Sequence, residues 1–315
     1  MTSVEERQML RDTVVALIDK HASPAAVREA MESPRGYDES LWAMLCEQVG
    51  VAALVVPEEL GGAGGELADA AAVLEELGRG LVPTPLFGTT LTELALLAAD
   101  EPDTDALEQL AAGESIGAVV FDPGYVVNGD VADVVVAVED GSLNRWSDVT
   151  AETLVTMDPT RRLARLSAGS TAPIGTDPGL ADTAAILLAA EQIGAAARCL
   201  DLTVAYTKER VQFGRPIGSF QALKHRMADL YVAVQSARAL VGDAVAQPTP
   251  VSAALARLSA TEAFTTVAGE AIQLHGGIAI TWEHDIQLYF KRAHGSAQLL
   301  GTVSDQLHRL ESEVL

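Results

Sequence analysis

The C-terminal half of this chain repeats one arrangement four times: a long stretch of helical periodicity, then a short break rich in glycine or proline. The first stretch runs from about Leu180 to Arg210 and breaks at Gly214-Arg215-Pro216. The second, with Ser219 as its expected cap, sets Leu223, Met227, Leu230, Val234 and Val241 at steps of three, four and seven, which is one face of a helix. Gln247-Pro248-Thr249-Pro250 turns the chain into a third, from about Val251 to Leu274, which stops at Gly276-Gly277. The fourth begins near Thr281 and continues, with a bend expected at Gly295, to Leu310. Helices joined by such short turns bury their apolar faces best as an antiparallel four-helix bundle.

The N-terminal third also reads as helical. Thr2 and Ser3 stand three residues before Glu5 and Glu6, the capping-box spacing, and Met9, Leu10, Val14, Leu17 and Ile18 follow at helical intervals. Further helices are expected near Ser40 and over Glu66 to Leu77, Thr89 to Ala99 and Asp105 to Ala112. The middle differs. Ala118 to Phe121, Tyr125 to Val127 and Val131 to Val138 are short and valine-rich, and read as strands. Leu154 to Met157 and Leu163 to Leu166 are two more candidates. Ser167 to Gly179 reads as a linker or long turn, and Asp177-Pro178 as a helix start with Pro in the first turn. The expected organisation is an N-terminal helical domain over 1–112, a short β domain over 113–170 and a C-terminal bundle over 171–315. The chain is therefore mainly α.

Charge narrows the partners. With 44 acidic and 21 basic residues the formal net charge is −23, which repels nucleic-acid phosphates and anionic membrane surfaces. The stretch from Ala181 to Leu200 is the most apolar, and Asp182, Glu191, Gln192 and Arg198 interrupt it. The first residues carry Glu5, Glu6, Arg7, Arg11 and Asp12 where a secretory leader needs an apolar run. Two cysteines, Cys46 and Cys199, make no disulfide framework. A soluble protein of the reducing cytoplasm is the expectation.

Few motifs carry chemistry on their own. Gly113-Glu114-Ser115-Ile116-Gly117 has the letters of a hydrolase nucleophile elbow, but a helix precedes it and a strand follows, the reverse of what the elbow needs. Gly61-Gly62-Ala63-Gly64-Gly65 lacks the Lys-Ser/Thr of a phosphate loop and reads as a turn. The six histidines show no metal-ligand spacing. Thr281-Trp282-Glu283-His284-Asp285 reads as a helix N-terminus whose carboxylates favour the dipole. Arg210-Val211-Gln212-Phe213-Gly214 is either a charged helix end or an Arg fork with an aromatic face, suited to a diphosphate and an adenine. Gln273-Leu274-His275-Gly276-Gly277 adds an amide and two bare glycines at another helix end.

Taken together, "YTKERVQFGRPIGSFQALKHRMADLY" and "AIQLHGGIAITWEHDIQLYFKRA" resemble the C-terminal domain of acyl-CoA dehydrogenases, and "VPEELGGAGGELADAAAVLEELGRG" resembles their N-terminal domain. The resemblance implies a flavoprotein chain that takes part in forming a Cα=Cβ double bond in an acyl-CoA thioester. In that family a glutamate removes the α proton while the β hydride passes to FAD. It also implies that Arg210, Gln212, Phe213 and Gln221, with Gln273, Gly276 and Gly277, hold the FAD of a neighbouring subunit, and that Thr302 is a further flavin contact.

The chain departs from the family's pattern in three places. The family's base precedes a Gly-Thr pair near the C-terminus; here Leu300 stands before Gly301-Thr302, and leucine takes no proton. An alternative base in the first long helix would fall near Thr183-Ala184, where there is no glutamate. The β domain is short, and the family's Thr-Glu-Pro…Gly-Ser-Asp segment is missing. No catalytic residue is therefore assigned to this chain. It resembles the smaller subunit of heterotetrameric (α2β2) actinobacterial steroid side-chain acyl-CoA dehydrogenases, whose larger subunit carries the glutamate. "MDPTRRLARLS" resembles a stretch common in such short chains. Two other readings compete: a self-sufficient enzyme using Glu283, Asp285 or Asp182 as base, and a cofactor-free scaffold.

Overall fold

The structure, a computed structural model, describes residues 4–314; Thr2 and Ser3, expected to cap the first helix, lie outside them. The N-terminal part is α1 (Val4–His21), α2 (Pro24–Glu32), α3 (Glu39–Met44), α4 (Leu67–Gly80), α5 (Leu86–Leu97) and α6 (Thr104–Ala111). The strands are β1 (Gly117–Val120), β2 (Val126–Val127), β3 (Val134–Glu139), β4 (Ser142–Ser147), β5 (Thr150–Leu154), β6 (Leu163–Ser167) and β7 (Ser170–Thr176). The C-terminal part is α7 (Leu180–Glu209), the hairpin β8 (Val211–Gln212) and β9 (Arg215–Pro216), α8 (Gln221–Ala246), α9 (Pro250–His275), α10 (Ile286–Ser296) and α11 (Val303–Val314). The fold is mainly α, with a small sheet region between helical parts.

Helix α7 is the axis of the molecule. Its alanine-rich surface is buried nearly all round, between α4 on one side and α8 and α9 on the other. By length and composition it is apolar enough to cross a membrane, but 78% of that apolar window is buried inside the protein. Its contact with α4 has no room for side chains at two points. A Cβ on Gly194 would meet the Glu75 carbonyl at 1.8 Å, and one on Gly78 would meet the Glu191 carbonyl at 2.2 Å. Glycine lets the two backbones touch, which locks the N-terminal helices to the bundle.

The strands form two sheets. One has the order β1-β3-β4-β7, the other β2-β6-β5. Only β1 with β3 is parallel among the described pairs. Ala118, Val120, Val126, Val135, Ala137, Trp146, Ala164 and Leu166 pack between the sheets.

Several expectations require correction. Ser167 to Gly179 is no linker: residues 170–176 are β7, which pairs with β4 on the sheet edge. Pro173 is tolerated there because an edge strand has one side without ladder bonds. The strand expected at Leu154–Met157 lies earlier, over Thr150–Leu154, and β4 was not anticipated. Asp177 does cap α7, its Oδ1 accepting from the Gly179 and Leu180 amides, but Pro178 lies before the helix. Ser219 is no cap; its hydroxyl donates to the Pro216 carbonyl, and α8 starts after Phe220. The last helix is not bent at Gly295 but broken after Ser296, with Leu300 (φ 58°) and Gly301 (φ 90°) both left-handed.

Candidate functional site

The residues expected to touch a flavin lie in two separate places. Arg210, Gln212, Phe213 and Gln221 sit at the C-terminal end of α7 and around the hairpin that follows. The hairpin pairs Val211 with Pro216 and Gln212 with Arg215, leaving Phe213 and Gly214 as a two-residue turn, both at positive φ. Two left-handed residues are what the tightest hairpin turn requires. Arg215 covers the Phe220 ring at 4.0 Å. The Arg210 guanidinium is exposed and makes no hydrogen bond or ion pair among the described residues.

Gln273, Gly276 and Gly277 lie at the end of α9, and the structure brings them beside the end of α7. The Tyr206 hydroxyl donates to the His275 carbonyl at 3.2 Å, and the Tyr206 and His275 rings stack with centroids 4.2 Å apart. A Cβ on Gly276 or Gly277 would meet nothing within 4 Å, so the glycine backbone faces outward. An unpaired guanidinium, an exposed ring and bare backbone at one end of the bundle fit the diphosphate and adenine of a dinucleotide approaching from outside.

Thr302 is elsewhere. It lines a cavity of about 710 Å³ with Phe87, Leu91, Phe121, Val127, Leu163, Leu299 and Leu300. Its amide and hydroxyl both donate to Asp305 Oδ2 at 2.7 Å, which caps α11. Leu300 is half-buried on the cavity wall. Among the lining residues the arginine is Arg309, which pairs with Asp182, while Asp122 and Asp305 add negative charge. The cavity of this chain therefore suits a flavin diphosphate poorly, while the bundle tip suits one well. Asp182 does not line the cavity and is held by Arg309, which does. Asp285 sits at the other end, paired with Arg28 at 2.8 Å, and Glu283 is exposed on the same turn.

Sequence reasoning missed a buried charge cluster beside this cavity. Asp158, Arg161, Glu191 and Arg292 are each at most 7% exposed. Arg161 and Arg292 both donate to Glu191 Oε1, and Arg292 also donates to the Thr160 carbonyl at 2.7 Å. Burial pushes the Glu191 carboxyl up, but Arg161 and Arg292 outweigh it and hold the group below its ordinary value. Phe87 and Val127 line both this cluster and the cavity. The one available signal was the resemblance of Met157-Asp158-Pro159-Thr160-Arg161 to a stretch of short chains.

Two other motifs resolve as structure. Ser115 is buried in the turn between α6 and β1, where its hydroxyl donates to Gln109 Oε1 at 3.1 Å. Gly62 and Gly65 pack on the carbonyls of Val56 and Leu54, which leave no room for a Cβ.

Comparison with known proteins matches residues 4–114 to the acyl-CoA dehydrogenase N-terminal domain and residues 181–312 to the acyl-CoA dehydrogenase C-terminal domain. Acyl-CoA dehydrogenase IpdE2 of Mycobacterium tuberculosis is 71% identical over 314 residues, covering 100% of this chain and 99% of its own length. Among solved structures, a Tcur3481–Tcur3483 steroid ACAD variant superposes with a TM-score of 0.89 at 28% identity, covering 98% of this chain and 97% of its own. The ChsE4–ChsE5 complex from Mycobacterium tuberculosis gives 0.88 at 26% identity, covering 99% of this chain and 98% of its own. Matched along its whole length, the chain belongs to the acyl-CoA dehydrogenase family, oxidoreductases that act on acyl-CoA thioesters.

Proposed function

We propose that this chain is the smaller, base-lacking subunit of a cytoplasmic, FAD-dependent acyl-CoA dehydrogenase. A larger subunit supplies the catalytic glutamate in an α2β2 assembly that forms a Cα=Cβ bond in a bulky, steroid-derived acyl-CoA. The observation that carries this is Leu300 on the cavity wall, at the position of the family's base, combined with a bundle tip whose Arg210 has no partner among the described residues. FAD, when bound, accepts the hydride from Cβ. This chain's residues bind and orient it: Arg210 offers charge-assisted hydrogen bonds to the diphosphate, Phe213 an aromatic face to the adenine, and Gly276 and Gly277 a close approach of backbone. The similar structures support the steroid-derived substrate and the two-subunit assembly, since one is a steroid ACAD and another is the ChsE4–ChsE5 complex.

The test is co-expression with the larger subunit. The chain alone should purify colourless, and the complex should be yellow and should desaturate thioesters. Arg210→Ala in the complex should lower FAD affinity. Desaturation by the chain alone, or a flavin-free but complete assembly, would overturn the reading.

A further inference from the structure

The turn Thr281–Asp285 closes the bundle end on which Arg210 and the two glycines meet. His284 from this turn stands edge-on to His275, with centroids 4.8 Å apart, and to Tyr206 at 6.3 Å. His275 is itself stacked on Tyr206 and only 4% exposed. Three rings from three elements thus form one block: Tyr206 from α7, His275 from α9, and His284 from the turn before α10.

The hydrogen bonds fix how each ring is held. His275 Nδ1 donates to the Ala271 carbonyl at 2.8 Å, which sets its tautomer. Burial, opposed by that bond, lowers its proton affinity. His284 Nδ1 accepts from the Ile286 amide at 3.2 Å, so its proton sits on Nε2. Asp285 then ties the turn to α2 through Arg28 at 2.8 Å. Each ring is held from its own side.

The block sits between the two segments that face outward. Tyr206 is one helical turn before Arg210, and His275 directly precedes Gly276. Helix ends fray unless something satisfies their last carbonyls, and here the Tyr206 hydroxyl satisfies that of His275. We propose that Tyr206, His275 and His284 are positioning residues: an aromatic stack that sets the spacing between Arg210 and Gly276-Gly277, so that both reach the same ADP moiety on the partner subunit. This rests on the function proposed above. A merely packed cluster would stabilise the chain without discriminating between ligands. A positioning stack matters most for the ligand that spans both segments.

The experiment uses the co-purified complex with its larger subunit, stripped of flavin and titrated with FAD and with FMN, which lacks the AMP half. His284 is half-exposed, so His284→Leu should still fold and assemble, with a slightly lower melting point because the Ile286 amide loses its acceptor. It should weaken FAD binding by about tenfold or more, the scale of a small misplacement of a binding group, and leave FMN binding nearly unchanged. Tyr206→Phe keeps the ring and loses the bond to His275, and should give a smaller loss in the same direction. Equal losses for FAD and FMN, or none for either variant, would overturn the positioning role. Arg210→Ala separates the two levels. If it also leaves FAD affinity unchanged, the grip itself is wrong; if it weakens FAD while His284→Leu does not, only the stack's role falls.

Discussion

Asp158 Oδ2, on the loop after β5, lies 2.8 Å from Arg292 Nε on α10, and both side chains are almost wholly buried. The contact is an ion pair, while aligned hydrogen bonds go from Arg292 to Thr160 Oγ1 at 2.9 Å and from Thr160 Oγ1 to Asp158 Oδ1 at 2.6 Å. Glu191 on α7 accepts from Arg292 and Arg161 together. Two cations and two anions therefore bolt the β region to the bundle, immediately beside the cavity that Leu300 lines. Buried pairs seldom add net stability over apolar packing, yet breaking one strands its partner.

Arg292→Met should destabilise the protein by about 3–5 kcal/mol, because it leaves Asp158 without its cation and Glu191 with only one. Denaturant unfolding of the purified protein measures this. The folded state holds the Glu191 carboxyl below its ordinary 4.5. Its contribution is therefore present above that value and disappears as pH falls through the lower folded one. The parent's stability should drop on acidification more steeply than that of Glu191→Gln.

Glu93 on α5 behaves in the opposite sense. It is 0% exposed, and neither carboxyl oxygen has a hydrogen-bond partner among the described residues. Burial raises its proton affinity well above the ordinary 4.5. The folded chain holds the neutral acid while the unfolded chain ionises, so stability is full below about pH 4.5 and falls as pH rises toward the folded value. Glu93→Gln removes that loss. Melting curves at pH 5 and pH 8 should show the variant gaining on the parent at the higher pH. A gain at the lower pH would contradict the burial account.

How much of this could be read from the chain depended on how local each signal was. The helices α4, α7, α8 and α9 announce themselves by apolar spacing and by Gly and Pro at their ends, and the resemblance at both ends of the chain fixed the family. Strand β7 did not, because Pro173 and its neighbouring glycines look like a turn until β4 is seen to pair with it, through a register shift at Leu143/Asn144. The break at Leu300 was hidden because leucine rarely takes a left-handed conformation. The charge cluster was hidden because Asp158, Glu191 and Arg292 are far apart in sequence and only the packing of three elements brings them together.

Arg257 on α9 holds that break in shape. It is 2% exposed and donates to Gln192 Oε1 at 2.8 Å and to the carbonyls of Ser296 and Leu299. No carboxylate pairs with it among the described residues, and burial brings the guanidinium down to about 10. Arg257→Met should leave the Leu299 carbonyl unpaired just before Leu300, at about 1–3 kcal/mol, while the Ser296 carbonyl keeps the Leu299 amide as its donor. Hydrogen exchange should accelerate over residues 299–302 more than in the interior of α7. Unchanged exchange there would mean the turn is held by other contacts.

Phe213 presents the sharpest test of whether this surface exists for a partner. It is held at φ 51° while 92% exposed. A left-handed conformation costs a side-chain-bearing residue about 1–2 kcal/mol, and here little burial offsets it, since the ring is 92% exposed and meets Phe220 edge-on at 6.2 Å. Within the chain alone the residue is a net loss. Phe213→Asn introduces a polar residue that tolerates this conformation, and should raise the stability of the isolated chain by up to about 1 kcal/mol by the same reasoning. In the complex the sign should reverse: without the aromatic face, FAD affinity should fall. The two measurements together separate a turn shaped for folding from one shaped for binding, because a folding role predicts that both change in the same direction.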